Sequence, residues 1–294
     1  MSNIESTDIV QSVKERGKLL EAEMSFFDHL DVLRKHLIRS SLAIVVFTGV
    51  AFAYYDFIFD TIIMGPKKYT FWTYRMMCII GEKFNLGPDF CVNKDIPFNI
   101  INTEMAGQFT LQMNSSLLIG IVLGAPYLLF ELWLFIKPAL HETERKSATG
   151  FTGYAVLLFV VGILFGYYII TPLSINFLAS YTVSSIIQNQ ITIDSYLSSV
   201  ATLTLGSGFV FELPIVIFIL SKFGIITPKI MRNSRRYATV IILIIAAIVT
   251  PTPDILTMLT VSFPLFLLYE LSIVVSARVE RGKKKREVEF YAQP

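Results

Sequence analysis

Long runs of apolar residues recur along this chain, and they restrict its fold more than any other feature. A helix needs roughly 20 mostly apolar residues to cross about 30 Å of hydrocarbon, because each residue adds about 1.5 Å. The run YAVLLFVVGILFGYYII, from Tyr154 to Ile170, is one of several. Hydrophobic residues make up 53% of the 294 residues, whereas 16% are charged. We therefore expect an integral membrane protein rather than a soluble globular one.

The apolar pattern predicts an all-α integral membrane protein with six transmembrane helices. The helices are expected at about residues 37–56, 105–136, 150–171, 194–221, 235–250 and 255–277. They lie in a transmembrane domain of residues 26–277, after an N-terminal tail of residues 1–25 and before a basic tail of residues 278–294. Residues 57–104 form a long loop between the first two helices.

The predicted helices are not regular. Pro214 is expected to bend its helix, since proline removes a backbone donor and clashes with the preceding turn. The second helix would be about 48 Å long, so it must tilt, kink at Pro126 or project its polar start beyond the lipid. The fifth and sixth helices are predicted to be short, so the bilayer would have to thin, or water enter, beside them. We expect a concave bundle for these reasons.

The orientation follows from lysine and arginine, which are enriched in cytoplasmic loops. Of the 25 such residues, 20 fall in residues 1–39, 137–146, 222–236 and 278–294. The other five lie in the loop of residues 57–104. This distribution predicts that both termini are cytoplasmic and that residues 57–104 face outside. The tract RGKKKR, from Arg281 to Arg286, is expected to rest on anionic headgroups.

Cys78 and Cys91 both lie in the predicted outside loop, where an oxidising compartment permits a disulfide. The sequence leaves open whether they pair or remain thiols. No metal site is expected, since two thiols without a nearby histidine or a second pair do not fill a zinc shell.

Glu212 lies within the predicted fourth helix, in FVFELPI, two residues before Pro214. A charged side chain near the bilayer centre costs on the order of 2.5 to 3.5 kcal/mol, so it usually faces protein or water and has a function. Two interpretations remain open: a protonated glutamate hydrogen-bonded within the bundle, or a site that meets a partner.

Catalytic motifs are missing from the sequence. It lacks the HExxH pair of zinc proteases, the GxSxG elbow of hydrolases, the Walker GxxxxGK[ST] loop and a GxGxxG fingerprint. We expect no enzyme, no cofactor and no nucleic-acid partner. The function is therefore expected to depend on binding.

Four motifs, in order, resemble the TatC family, the core subunits of the twin-arginine protein translocase. They are HLDVLRKHL (His29 to Leu37), FELWLFIKPALHETERK (Phe130 to Lys146), FVFELPI around Glu212, and TPTPD ending at Asp254. The resemblance covers nearly the whole chain, from about Phe26 to Arg278. It implies Sec-independent transport of folded proteins across the cell inner membrane, driven by the proton-motive force.

The resemblance also implies roles for particular residues. A site for twin-arginine signal peptides would use His29, Asp31, Leu33, Arg34, Phe135, Pro138, Glu144 and Arg145. Glu212 and Pro214 would face single-span TatA-type and TatB-type partners within the membrane. Pro66, Glu104 and Asp254 match further family positions. Self-association within the complex is expected as well.

The first motif differs from the family at one position. The first motif usually carries a glutamate where Val32 stands, and Asp31 lies one residue earlier. A shift of one residue turns a side chain by about 100° around a helix. The sequence therefore leaves open which second carboxylate, Asp31 or Asp28, would assist Glu144.

The main alternative is a secondary transporter for a small solute or ion, with Glu212 as its proton site. Such proteins often carry internal repeats around broken helices. The sequence shows no convincing repeat, and a single buried carboxylate is a weak basis for coupled transport.

Overall fold

The computed structural model describes residues 26–85, 91, 98–136, 149–184, 189–249 and 255–291. Helix α1 is Phe26–Ala53, followed by the short helical segments Tyr55–Phe57, Ile58–Ile63 and Gly65–Lys67. Helix α2 is Trp72–Phe84, strand β1 is Asn99–Ile101 and helix α3 is Gly107–Ile136. Helix α4 (Thr149–Phe165) continues through a π-helical segment, Gly166–Ile170, into α5 (Thr171–Ser180).

The second half of the chain is also mostly helical. Strand β2 (Gln190–Thr192) leads directly into α6 (Ile193–Phe211), and α7 (Leu213–Lys222) follows. The last three helices are α8 (Pro228–Asn233), α9 (Arg235–Val249) and α10 (Ile255–Tyr291).

Five stretches among the described residues are long and apolar enough to cross a membrane. They are Leu30–Ala53, Gly107–Ile136, Thr152–Ser180, Ile193–Lys222 and Thr257–Gly282. Helix α9, the fifth predicted span, has only 15 residues. At about 1.5 Å per residue it is roughly 22 Å long, which is less than the hydrocarbon thickness.

Three helices differ from the predicted bounds. Helix α1 begins at Phe26 and not at residue 37, so the first span and the 11 residues before it form one continuous helix. The third span continues to Ser180. Pro172 lies in the first turn of α5, where a backbone N–H would have no partner within the helix, so its absence costs no hydrogen bond. The prediction of a short sixth helix is wrong, since α10 runs for 37 residues to Tyr291. The Lys284–Glu280 ion pair, one turn apart, supports that extension.

The two prolines have different positions in their helices. Helix α3 passes through Pro126 as one element. The fourth span instead breaks at Glu212, a turn residue between α6 and α7, and Pro214 lies in the first turn of α7. A proline in a first turn costs no hydrogen bond, so the chain restarts its helix there.

The helices approach closely where glycine replaces a larger residue. A Cβ atom at Gly120 of α3 would lie 2.9 Å from the Cα of Thr48 in α1. In the same way, a Cβ at Gly162 of α4 would lie 2.9 Å from the Cα of Gly208 in α6. Small residues at such crossings let membrane helices come into backbone contact.

One end of the bundle, here called the cap end, holds α2, β1 and β2. The strands form a short parallel pair in which Ile100 lies opposite Ile191, a pairing that the all-α prediction did not include. Tyr196 of α6 donates a hydrogen bond of 2.8 Å to the Ile63 carbonyl, and Tyr167 donates one of 2.6 Å to the Ile62 carbonyl. These bonds fix the first loop to the third and fourth spans. The opposite end, with the start of α1 and the end of α3, is called the tail end.

Candidate functional site

A buried carboxylate links α1 and α3 at the tail end. Glu131 of α3 is 3% exposed. One of its carboxylate oxygens, Oε1, accepts a hydrogen bond of 2.6 Å from the Tyr127 hydroxyl, and Oε2 contacts Nδ1 of His36 in α1. The His36 ring also meets Phe135 edge to face, with centroids 6.5 Å apart. Both carboxylate oxygens are therefore satisfied within the bundle.

The sequence did not identify this pair. His36 is largely buried against α3. The signal that could have found it is a glutamate inside the otherwise apolar FELWLFI segment. Such a residue requires a polar partner, and a histidine at the same membrane depth on a neighbouring helix can supply one.

The predicted signal-peptide residues in α1 have a more exposed setting. Asp31 is exposed and pairs with Lys35 one turn later, with 2.8 Å between Oδ2 and Nζ. Arg34 is exposed, whereas Val32 and Leu33 are partly buried. The structure therefore brings Phe135 to His36, while Asp31 remains engaged with its own helix.

Several predicted residues lie outside the part of the chain that can be described. Pro138, Glu144 and Arg145 fall between residues 136 and 149, and Asp254 falls just before α10. For His29 the helical backbone of α1 is described, but the side chain is not.

Glu212 has the opposite environment from Glu131. It is 8% exposed, and neither of its carboxylate oxygens has a hydrogen-bond partner among the described residues. Its backbone forms the break between α6 and α7, and the neighbouring Pro214 is buried. A buried carboxylate without a partner is costly in a low-dielectric setting, so this position marks a site that is incomplete by itself.

The polar first half of α6 borders open space at the cap end. A cavity of about 460 Å³ is lined by Asn189, Gln190, Ser195 and Ser199 together with apolar side chains. Polar side chains from the start of α6 therefore line part of this cavity.

The remaining predicted positions lie at the cap end. Pro66 is buried, and its carbonyl accepts a hydrogen bond of 3.0 Å from the Tyr74 hydroxyl. Glu104 is exposed, and its carbonyl accepts a bond of 2.9 Å from the Asn102 side chain in the turn before α3. Both residues shape loops through their backbone oxygens.

Cys78 of α2 is joined to Cys91 by a disulfide. Glu82 lies near them, with the three potential ligand atoms within 4.8 Å of one another. A metal ion would require free thiolates, and the disulfide leaves none in this trio.

The spanning helices show that this chain is a multi-span α-helical membrane protein. Residues 28–264 match the family model described as Sec-independent protein translocase protein (TatC). A TatC from Blattabacterium is 35% identical over 89% of this chain and 98% of its own length. TatCy from Bacillus subtilis is 32% identical over 90% of this chain and 92% of its own length.

Comparison with solved structures indicates the same family. A crystal structure titled as the twin arginine translocase receptor TatC in DDM matches with a TM-score of 0.63 and 30% identity. It covers 84% of this chain and 99% of that one. The chain therefore belongs to the TatC family and is a component of a protein translocase. This assignment does not favour the alternative of a small-solute transporter.

Proposed function

We propose that the tail end of this protein binds twin-arginine signal peptides on the cytoplasmic side of the cell inner membrane. The observation that carries the proposal is the likeness to solved structures titled as twin arginine translocase receptors, at 28–30% identity over 84–86% of the chain. The tail end supports it, because His36 and Glu131 join α1, which bears Asp31, to the end of α3, which bears Phe135.

The chemistry of the proposed ligand fits carboxylates at this end. A guanidinium group forms forked, charge-assisted hydrogen bonds with carboxylates, and two consecutive arginines need more than one acceptor. Glu144 is the main acceptor in our proposal. Glu131 is not the second, because Tyr127 and His36 already occupy its oxygens. Asp31 is a better second acceptor, since its exposed pair with Lys35 is weak and can be exchanged.

The other residues of the proposed site guide the peptide. Phe135 and Pro138 would shape its approach along α3, while His29, Leu33, Arg34 and Arg145 would complete the surface. The apolar part of the signal would then lie against the bundle within the bilayer.

Within the membrane, we assign Glu212 and Pro214 to the binding of single-span TatA-type and TatB-type partners. The unpartnered carboxylate supports this assignment, because a polar group on a partner helix would supply its missing hydrogen bond. Self-association and the use of the proton-motive force to move folded proteins belong to the same proposal.

Photocrosslinking tests signal recognition. A photoreactive residue in place of Glu144 should capture a twin-arginine signal peptide and should lose that capture when both arginines become lysines. A photoreactive residue in place of Glu104 serves as the control, because it is exposed at the cap end and should capture neither peptide. Equal capture of the arginine and lysine peptides at residue 144 would contradict the proposal.

Co-purification tests the partner site. Glu212→Ala should reduce the amount of TatA-type and TatB-type partner that is recovered with the protein, while peptide capture at residue 144 is retained. Loss of both would indicate a folding defect and would contradict a separate role for Glu212.

A further inference from the structure

Helix α2 at the cap end has an apolar surface that the described residues of the chain do not cover. At about 100° per residue, Trp72, Met76, Ile79 and Ile80 fall within a sector of roughly 100° around the helix. Trp72 is 55% exposed, Ile79 56% and Ile80 44%. Apolar side chains that are grouped on one side of a helix and are this exposed are unusual on a surface that faces water.

The other two sides of α2 have different environments. Thr73, Tyr74 and Gly81 are buried and face the protein. Arg75 and Glu82 are exposed and lie about 20° apart, on a polar flank about 40° to 60° from Ile79 at the nearer edge of the apolar sector. The helix therefore has a protein side, an apolar sector and a polar flank, which is the pattern of a helix lying in a membrane interface.

The disulfide is attached to the polar side of the helix. Cys78 lies about 40° from Glu82 and about 100° from the nearer edge of the apolar sector. Its partner Cys91 is therefore joined to α2 away from that sector.

The contacts of α2 fix its level along the bundle. Thr73 donates a hydrogen bond to the Tyr168 carbonyl, and the Phe71 ring stacks on Tyr168 with centroids 5.4 Å apart. The Tyr74 hydroxyl lies 2.8 Å from the Pro172 carbonyl and shares its one proton between this carbonyl and that of Pro66. Burial raises the pKa of the Tyr74 hydroxyl above its ordinary range, so this group remains a donor.

These anchor points lie near the cap end of the third span. The helical stretch from Thr152 to Ser180 has 29 residues, or about 44 Å, which exceeds the roughly 30 Å of hydrocarbon. Tyr168 and Pro172 precede its end by 12 and 8 residues, or about 18 and 12 Å. Helix α2 is therefore held beside the last turns of this span and not beyond its end.

We propose that α2 is an interfacial anchor whose apolar sector lies among the headgroups and upper acyl chains of the leaflet at the cap end. Arg75 and Glu82 face water, and Lys83 extends its charged end from the apolar side toward the headgroups. The occupant of the exposed face is lipid. The role is independent of signal recognition, since it fixes the loop of residues 57–104 at the membrane surface.

Depth-dependent fluorescence quenching tests the proposal in the full-length protein, reconstituted in phosphatidylcholine vesicles. The chain contains two tryptophans, Trp72 and Trp133. Replacing both by phenylalanine gives a background for single reporters at Ile80→Trp, in the apolar sector, and Glu82→Trp, on the polar flank. Lipids brominated near the headgroup should quench the reporter at residue 80 at least about twofold more than the one at residue 82, which aqueous iodide should quench.

A second variant retains more of the native chain. Trp133→Phe alone leaves Trp72 as the reporter, and shallow brominated lipid should quench it more strongly than lipid brominated deep in the acyl chains. Equal quenching of residues 80 and 82 by iodide would place α2 in water and overturn the proposal. Protection of residue 80 from both quenchers would show that protein covers the face, and would overturn it as well.

Discussion

Two buried glutamates in this protein have opposite surroundings. Glu131 at the tail end is 3% exposed and interacts with Tyr127 and His36. Glu212 at the break of the fourth span is 8% exposed, and its carboxylate has no partner among the described residues. Burial is similar, so exposure does not distinguish the two sites. The difference lies in hydrogen bonding.

This difference separates a structural carboxylate from a carboxylate that awaits a ligand. Removing one member of a satisfied buried pair leaves the other members without a partner, and the folded state loses free energy. Removing a buried polar group that has no hydrogen-bond partner removes the free-energy penalty of burying it. The two glutamates should therefore respond to substitution in opposite directions.

The largest expected effect is at Glu131. Glu131→Ala should lower the free energy of unfolding by on the order of 3 kcal/mol, because His36 and Tyr127 both lose their buried partner. Thermal unfolding in detergent, followed by the fraction of monodisperse protein, measures the change. Glu131→Gln is the control and should lose less, since the amide retains hydrogen-bonding atoms. A Glu131→Ala protein as stable as the parent would remove the distinction between the two sites.

A double-mutant cycle should show that the contribution of Glu131 depends on His36. We expect a coupling free energy of about 1 to 2 kcal/mol between Glu131→Ala and His36→Ala, because the two residues are in direct contact. The double variant should thus unfold at nearly the same temperature as Glu131→Ala alone. Additive effects would mean that Tyr127, and not His36, is the main partner.

Glu212 should behave in the opposite way. Glu212→Leu should leave the isolated protein unchanged or more stable by about 1 kcal/mol, because a buried polar group without a partner is removed. Partner recovery in co-purification should fall at the same time. A large loss of stability would show that Glu212 has an internal partner and would place it in the same class as Glu131.

The smallest effect is expected at Asp31. Asp31→Asn should produce no measurable shift in unfolding temperature, since its pair with Lys35 is exposed. Binding of a twin-arginine peptide, measured by fluorescence anisotropy, should nevertheless weaken. Lys35→Met is the matched control, because it frees Asp31 and should leave binding unchanged or stronger. Unchanged binding by Asp31→Asn would exclude Asp31 as the second carboxylate.

The spanning helices were largely predictable, because each needs a long apolar run that is visible in one segment. The bounds were less predictable. The end of α10 at Tyr291 and the start of α1 at Phe26 depend on helix continuation beyond the bilayer, where hydropathy carries no signal. The parallel pairing of β1 with β2 joins residues about 90 positions apart, and no local pattern indicates it.

The candidate sites were predicted unevenly for the same reason. Glu212 is conspicuous because a lone acid beside a proline interrupts an apolar run. Glu131 is equally isolated in its own segment, but its meaning depends on His36, which lies 95 residues away. The residues around Glu144 are known from their sequence pattern alone.

The sequence by itself determined the class of protein, its long apolar spans and the isolated acids within them, because burial in lipid imposes composition on every spanning residue. The tertiary structure decided which acid is satisfied, where the fourth span breaks and how α2 lies beside the third span. These properties depend on contacts between residues far apart in the chain. A hydrogen bond between two helices is set by their packing, and neither segment specifies that packing alone.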